Sequence, residues 1–165
     1  MAPLYKIRSA EAGDAEAIRA IRNDVIAHST AMWTTQLVTQ EDGQAWLADN
    51  LTRRSAYVAE SGGTVIGYAN WSPWRAKDGY RHTIENSVYL ADGHQGRGLG
   101  AELLQTLIAG ATESGAHVMM AHIEASNTRS IALHERFGFE TVGTVREAGT
   151  KFGRWLDLTL MSVAL

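Results

Sequence analysis

The stretch that most constrains this chain is Gln95-Gly96-Arg97-Gly98-Leu99-Gly100. It follows the apolar run Ser87-Val88-Tyr89-Leu90 and opens an amphipathic segment. Three glycines at alternate positions leave the backbone almost without side-chain cover, so such a loop can approach a ligand closely and turn its N–H groups towards it. Arg97 adds a cation at the same place, and a helix that starts there adds the positive end of its dipole. A strand, an anion-binding turn and a helix in that order read as part of a βαβ crossover. The expectation is a site for a pyrophosphate or similar anion, and hence for a nucleotide-like cofactor.

The pattern on either side of the loop sets the fold class. Tyr5-Lys6-Ile7-Arg8 alternates as a first strand does. Asp14 stands where an N-cap is wanted, with Ile18, Ile21 and Val25 following at helical spacing. Glu41 to Leu51 reads as a second helix with Trp46 and Leu47 on its apolar side. Ala56–Ala59 and Thr64–Ala69 are strands joined by a Ser61-Gly62-Gly63 turn. Ser72 to Tyr80 reads as a polar, aromatic-rich loop, and His82 to Leu90 as a longer strand. Leu99, Leu103, Leu107, Ile108 and Ala111 share one face of the helix after the glycine loop, which Gly115 ends. His117 to Ile123 is a strand, and Ser126 or Asn127 caps a short helix that stops at Gly138. Two closing strands are expected around 140–145 and 154–161. The order implies one mixed α/β domain over residues 1–165.

The chain has 165 residues, enough for one domain with a sizeable core. A net charge of -3 argues against an extended nucleic-acid surface. The absence of cysteine excludes disulfides, thiolate metal sites and a cysteine acyl-enzyme. No apolar run reaches membrane-spanning length and the N-terminus begins directly with a strand-like pattern, so a soluble cytoplasmic protein is expected. The histidines show no metal-ligand spacing. His117 and His122 lie five apart on a strand, face opposite sides and read as ordinary residues.

Gly96-x-Gly98-x-x-Ala101 also fits the dinucleotide-binding fingerprint, with Glu124 standing for the acidic residue about 20 positions on. Its context is unlike a dinucleotide fold, because half the chain precedes it as a helical pair and a meander. No Gly-Lys-Ser/Thr is present for a P-loop.

Gln95 to Gly100 resembles the Q/R-x-x-G-x-G/A signature of the GCN5-related N-acetyltransferases. Asn127 and Leu133-His134-Glu135-Arg136-Phe137-Gly138-Phe139 resemble the family's second signature. Within the family the chain is most similar to the phosphinothricin and methionine sulfoximine/sulfone acetyltransferases. That likeness runs through Tyr80 to Leu90, His94-Gln95-Gly96, Lys151 to Asp157, Asn23 and Ser29-Thr30-Ala31. The resemblance implies a mixed central sheet with splayed central strands flanked by helices. It implies acetyl-CoA as cosubstrate, a small amine or amino-acid acceptor, no nucleic acid or membrane partner, and a homodimer.

It also implies roles. The pyrophosphate would rest on Gln95, Gly96, Arg97, Gly98, Leu99 and Gly100, and the pantetheine arm would lie along Val88, Tyr89 and Leu90 like an added strand. Asn127 would hold the arm from the far side. Glu85 would take a proton from the acceptor amine. His134 stands where most of the family has a tyrosine, and would protonate the leaving thiolate or position substrate. Trp33, Arg75, Tyr80 and Arg81 would select the acceptor, with Arg75 clamping a carboxylate. Direct transfer in a ternary complex is the expected route. A non-catalytic acyl-CoA sensor module is the alternative.

Overall fold

The computed structural model describes residues 4–165. Strands β1 (Lys6–Ser9), β2 (Ala56–Ser61), β3 (Thr64–Pro73), β4 (Thr83–Leu90), β5 (Val118–Glu124), β6 (Glu140–Lys151) and β7 (Arg154–Ala164) form one sheet in the order β1-β2-β3-β4-β5-β7-β6. Every neighbouring pair is antiparallel except β4 and β5, which are parallel and joined by helix α3 (Leu99–Glu113). Helices α1 (Ala15–His28) and α2 (Gln40–Arg53) precede β2, and α4 (Thr128–Arg136) follows β5.

The helices take opposite faces of the sheet because their apolar stripes demand it. Leu99, Leu103, Leu104, Leu107 and Ala111 of α3 are all buried, and all but Leu104 belong to a core that includes Ala59, Ile66, Met119, Ile123 and Met161. Ile18 and Ile21 of α1 and Leu47 of α2 pack on Val58 and Tyr68 from the other side. Each such side chain contributes roughly 1.5–3 kcal/mol by leaving water. Asn50 ties α2 to the sheet, its Oδ1 accepting from Ser55 Oγ (2.9 Å) and Asn70 Nδ2 (3.2 Å).

Three local expectations are corrected. Asp14 is at the N-cap position of α1, but its carboxylate does not cap that helix: it accepts from Arg8 (2.8 and 2.9 Å) and from the Glu11 amide. β3 continues through Ser72 to Pro73, where a loop was expected; proline is tolerated there because its partner Ile84 turns its backbone away from β3, so no ladder hydrogen bond is lost. β6 continues to Lys151 rather than ending near 145, because two register shifts, at 141–143 and 145–149, take up extra residues and hide the period of two. The hairpin then turns on Phe152 and Gly153, both at positive φ (53° and 71°).

Candidate active site

β4 and β5 stay paired only through Thr83–Val118, Ile84–Met119 and Glu85–Met120. Beyond Glu85 they part, as the splayed sheet requires. The register of β4 on β3 turns the backbone of its odd-numbered residues towards β3: Thr83 O accepts from Trp74 and Ala91 N–H donates to Ile66 O. The even-numbered ones face β5, as the His82 carbonyl does when it accepts from His117. Val88 and Leu90 therefore present N–H and C=O groups to the gap, while the backbone of Tyr89 is committed to β3. An extended amide-bearing chain can add to that edge.

The gap opens into a cleft of ≈ 710 Å³ bounded by β4, the glycine loop, β5, α4 and the end of α1. Of the expected cofactor residues, Val88, Tyr89, Leu90, Gln95, Gly96, Gly98, Gly100 and Asn127 line it. Gly96 and Gly98 have φ of 78° and 83°, a region that glycine enters at no steric cost. Gly98 is the N-cap of α3, and its carbonyl takes the amides of Ala101 and Glu102. The amides before them have no partner within the helix and are available to an anion. Leu99 is a core residue, so only its backbone belongs to this turn. Arg97 is exposed and outside the cleft lining. The cation that covers the loop is Arg129 of α4, whose guanidinium stands where a Cβ on Gly96 would meet it at 2.8 Å. Sequence reasoning missed Arg129; its signal was a position two residues after the Asn127 cap, on the helix turn that faces the loop. Asn127 accepts the Ser130 amide (3.2 Å), which confirms it as the cap.

Glu124 is corrected as a ribose ligand. It is buried and bonds the amide and hydroxyl of Ser126, shaping the turn into α4. With the loop in mid-sheet, the dinucleotide reading falls.

His134 is 4% exposed and lies edge-on to Phe139. Its Nδ1 is 2.7 Å from Ser130 O and its Nε2 3.0 Å from Asn86 Oδ1. Burial lowers its pKa below the usual 6.5. Burial pushes the Tyr89 hydroxyl up to about 12, so it stays protonated. Glu85 shares a sheet face with His122, whose Nδ1 is 3.2 Å from Glu85 Oε1. His122 lines the cleft and accepts from Trp74 Nε1 (3.0 Å). It is not the ordinary residue that its spacing suggested; the missed signal was that β4 and β5 run parallel with Glu85 beside Met120, two residues before His122 on the same face.

The acceptor residues lie apart from the cofactor cleft. Trp33 donates to Thr30 O (2.9 Å) and packs over Gly149. Arg75 is exposed with its guanidinium 4.9 Å from the Trp74 ring, and Tyr80 meets that ring edge-on. Arg81 donates to Asp78 O and borders a separate hollow near Arg53 and Trp71. Lys151 is buried, and its ammonium donates to the carbonyls of Ile26, Ser29 and Met32.

Comparison with known proteins agrees with this geometry. The acetyltransferase (GNAT) family model matches residues 18–139. The chain is 44% identical to the L-methionine sulfoximine/L-methionine sulfone acetyltransferase of Pseudomonas aeruginosa, over 96% of this chain and 94% of that one. It is 35% identical to the phosphinothricin N-acetyltransferase of Streptomyces coelicolor, over 93% and 92%. The structure superposes with a TM-score of 0.95 on yncA from Salmonella typhimurium, solved with its cofactor acetyl-CoA, at 42% identity over 98% of this chain and 94% of that one. With an anion-binding turn, an open strand edge and this likeness along nearly its whole length, the chain belongs to the acetyltransferase (GNAT) family and is an acetyl-CoA-dependent N-acetyltransferase.

Proposed function

We propose that the acceptor is a small L-amino-acid-like compound, such as L-methionine sulfoximine, L-methionine sulfone or phosphinothricin, acetylated on its amino group by direct transfer in a ternary complex. The observation that carries this is the position of Glu85 at the last paired residue of β4, where the cofactor edge begins, with Trp74 of the acceptor-side loop bonded to the neighbouring His122. The family relatives named above act on acceptors of this class.

Pyrophosphate rests on the amides of 95–100 under Arg129, and the pantetheine arm runs along Val88 and Leu90 with Asn127 opposite. The thioester then lies beside Asn86 to Val88. Glu85 takes a proton from the ammonium of the acceptor, and the free amine attacks the thioester carbonyl. A β4 amide facing the gap, Val88 or Leu90, stabilises the developing oxyanion. His134 returns a proton to the leaving thiolate. Both ring nitrogens face oxygens, Ser130 O and Asn86 Oδ1, which favours the doubly protonated ring, while burial opposes its charge. Arg75, held on Trp74, clamps the acceptor carboxylate, with Trp33 and Tyr80 shaping the approach, while Arg81 borders a separate hollow. A homodimer forms through the β6–β7 hairpin, where Val145, Phe152 and Trp155 stand exposed; sedimentation of wild type and Trp155→Asp tests it.

The functional test is a screen of free amino acids, L-methionine sulfone, L-methionine sulfoximine and phosphinothricin with thiol release as readout. Turnover of these acceptors, lost when the carboxylate is amidated and impaired through KM in Arg75→Ala, supports the reading. Acetyl-CoA binding with no turnover of any of them contradicts it.

A further inference from the structure

His122 lies outside every role assigned so far, yet with Trp74 it forms a chain that ends on the proposed base. Trp74 Nε1–H can only donate, so His122 Nε2, 3.0 Å away, presents its lone pair. The ring's proton is then on Nδ1, which is 3.2 Å from Glu85 Oε1. Trp74 thus selects the His122 tautomer that carries its proton on the ring edge beside the carboxylate, at ion-pair distance. Both side chains of the pair are partly shielded, with 26% and 32% exposure, so the contact is not one between free surface groups.

We infer that His122 is a positioning residue that orients Glu85 and, through Trp74, couples its carboxylate to the acceptor-side loop. The inference rests on Glu85 being the base. Holding Oε1 leaves Oε2 to face the amine. Trp74 carries Arg75 on its ring face and Tyr80 against its edge, so an acceptor seated on this loop loads the same indole that fixes the His122 tautomer. The seating of the acceptor and the aim of the base are then one mechanical unit, which a base at a strand end otherwise lacks. The remaining polar contacts of β5 near the gap go elsewhere: Glu124 to Ser126, and the Met120 carbonyl to Asn86.

A double-mutant cycle between His122 and Glu85 tests this. His122→Phe is expected to lower kcat about 10–100-fold, the range seen when the outer partner of a functional group is lost, with acetyl-CoA affinity by calorimetry unchanged. Trp74→Phe, which keeps an aromatic ring but removes the N–H with the rest of the indole, should move kcat in the same direction. His122→Gln, which can accept and donate at once, should recover part of the loss. In a Glu85→Gln background, His122→Phe should cost nothing further, because an absent base needs no orientation. Additive losses in the cycle, or full activity in Trp74→Phe, overturn the inference. If His122→Phe does not fold, Trp74→Phe against Glu85→Gln completes the same cycle. A silent Glu85→Gln would instead overturn the assignment of the base, which separates the two failures.

Discussion

The Asn86 side-chain amide donates to the Met120 carbonyl at 3.1 Å, one residue past the last paired position of β4 and β5. Asn86 thus closes the fork with a side chain where the backbone ladder stops. The same amide meets His134 Nε2 through its oxygen. One buried residue joins the point where the strands part to the residue assigned to the leaving group.

The glycine loop gives the most direct test of the cofactor site. Gly100 is within α3, and a Cβ there meets Leu133 Cδ2 at 3.6 Å, an ordinary contact. Gly100→Val is therefore expected to fold and to weaken acetyl-CoA binding at least about tenfold, about 1.4 kcal/mol, in calorimetry. Gly98→Val also forces a branched residue to φ 83°, and should lose on the order of 1–3 kcal/mol of stability as well.

His134 gives a pH signature. Its folded-state pKa lies below the ordinary 6.5 because burial disfavours the charge. Unfolded chains bind that proton first as pH falls, so the stability this residue provides is present above about 6.5 and is lost as pH drops below it. An NMR titration of the ring should give a midpoint under 6.5, and the thermal midpoint should decline over the same window. A titration at or above 6.5 contradicts this.

Lys151 holds the end of α1 and the segment to Met32 through three carbonyls, and Ser29 and Ala31 of that segment line the cleft. Lys151→Met strands those acceptors. The expected cost is about 1–3 kcal/mol, a fall in thermal midpoint of about 2–12 °C, with a larger rise in acceptor KM than in acetyl-CoA KM. Equal KM values would show that the segment only supports the fold.

Much of the site was legible in the sequence because local chemistry specifies it. The alternate glycines require a turn with positive φ, Asn127 is a cap by type and position, and the apolar stripe of α3 fixes its buried face. The limits were long-range. His122 gains meaning only from the parallel register that sets it beside Glu85, and Arg129 only from the packing of α4 over the loop. The role of Lys151 was hidden because its carbonyl partners are more than a hundred residues away in the chain. The full length of β6 was hidden by its register shifts, which interrupt the alternation that marks a strand.

The measurement closest to the central claim is steady-state acetyl transfer to L-methionine sulfoximine by Glu85→Gln, with acetyl-CoA affinity determined in parallel. Removing the base should lower kcat by on the order of 10² or more, leave acetyl-CoA affinity near wild type, and shift or abolish the low-pH limb of kcat/KM. A Gln variant with wild-type turnover and a wild-type pH–rate profile would contradict the account.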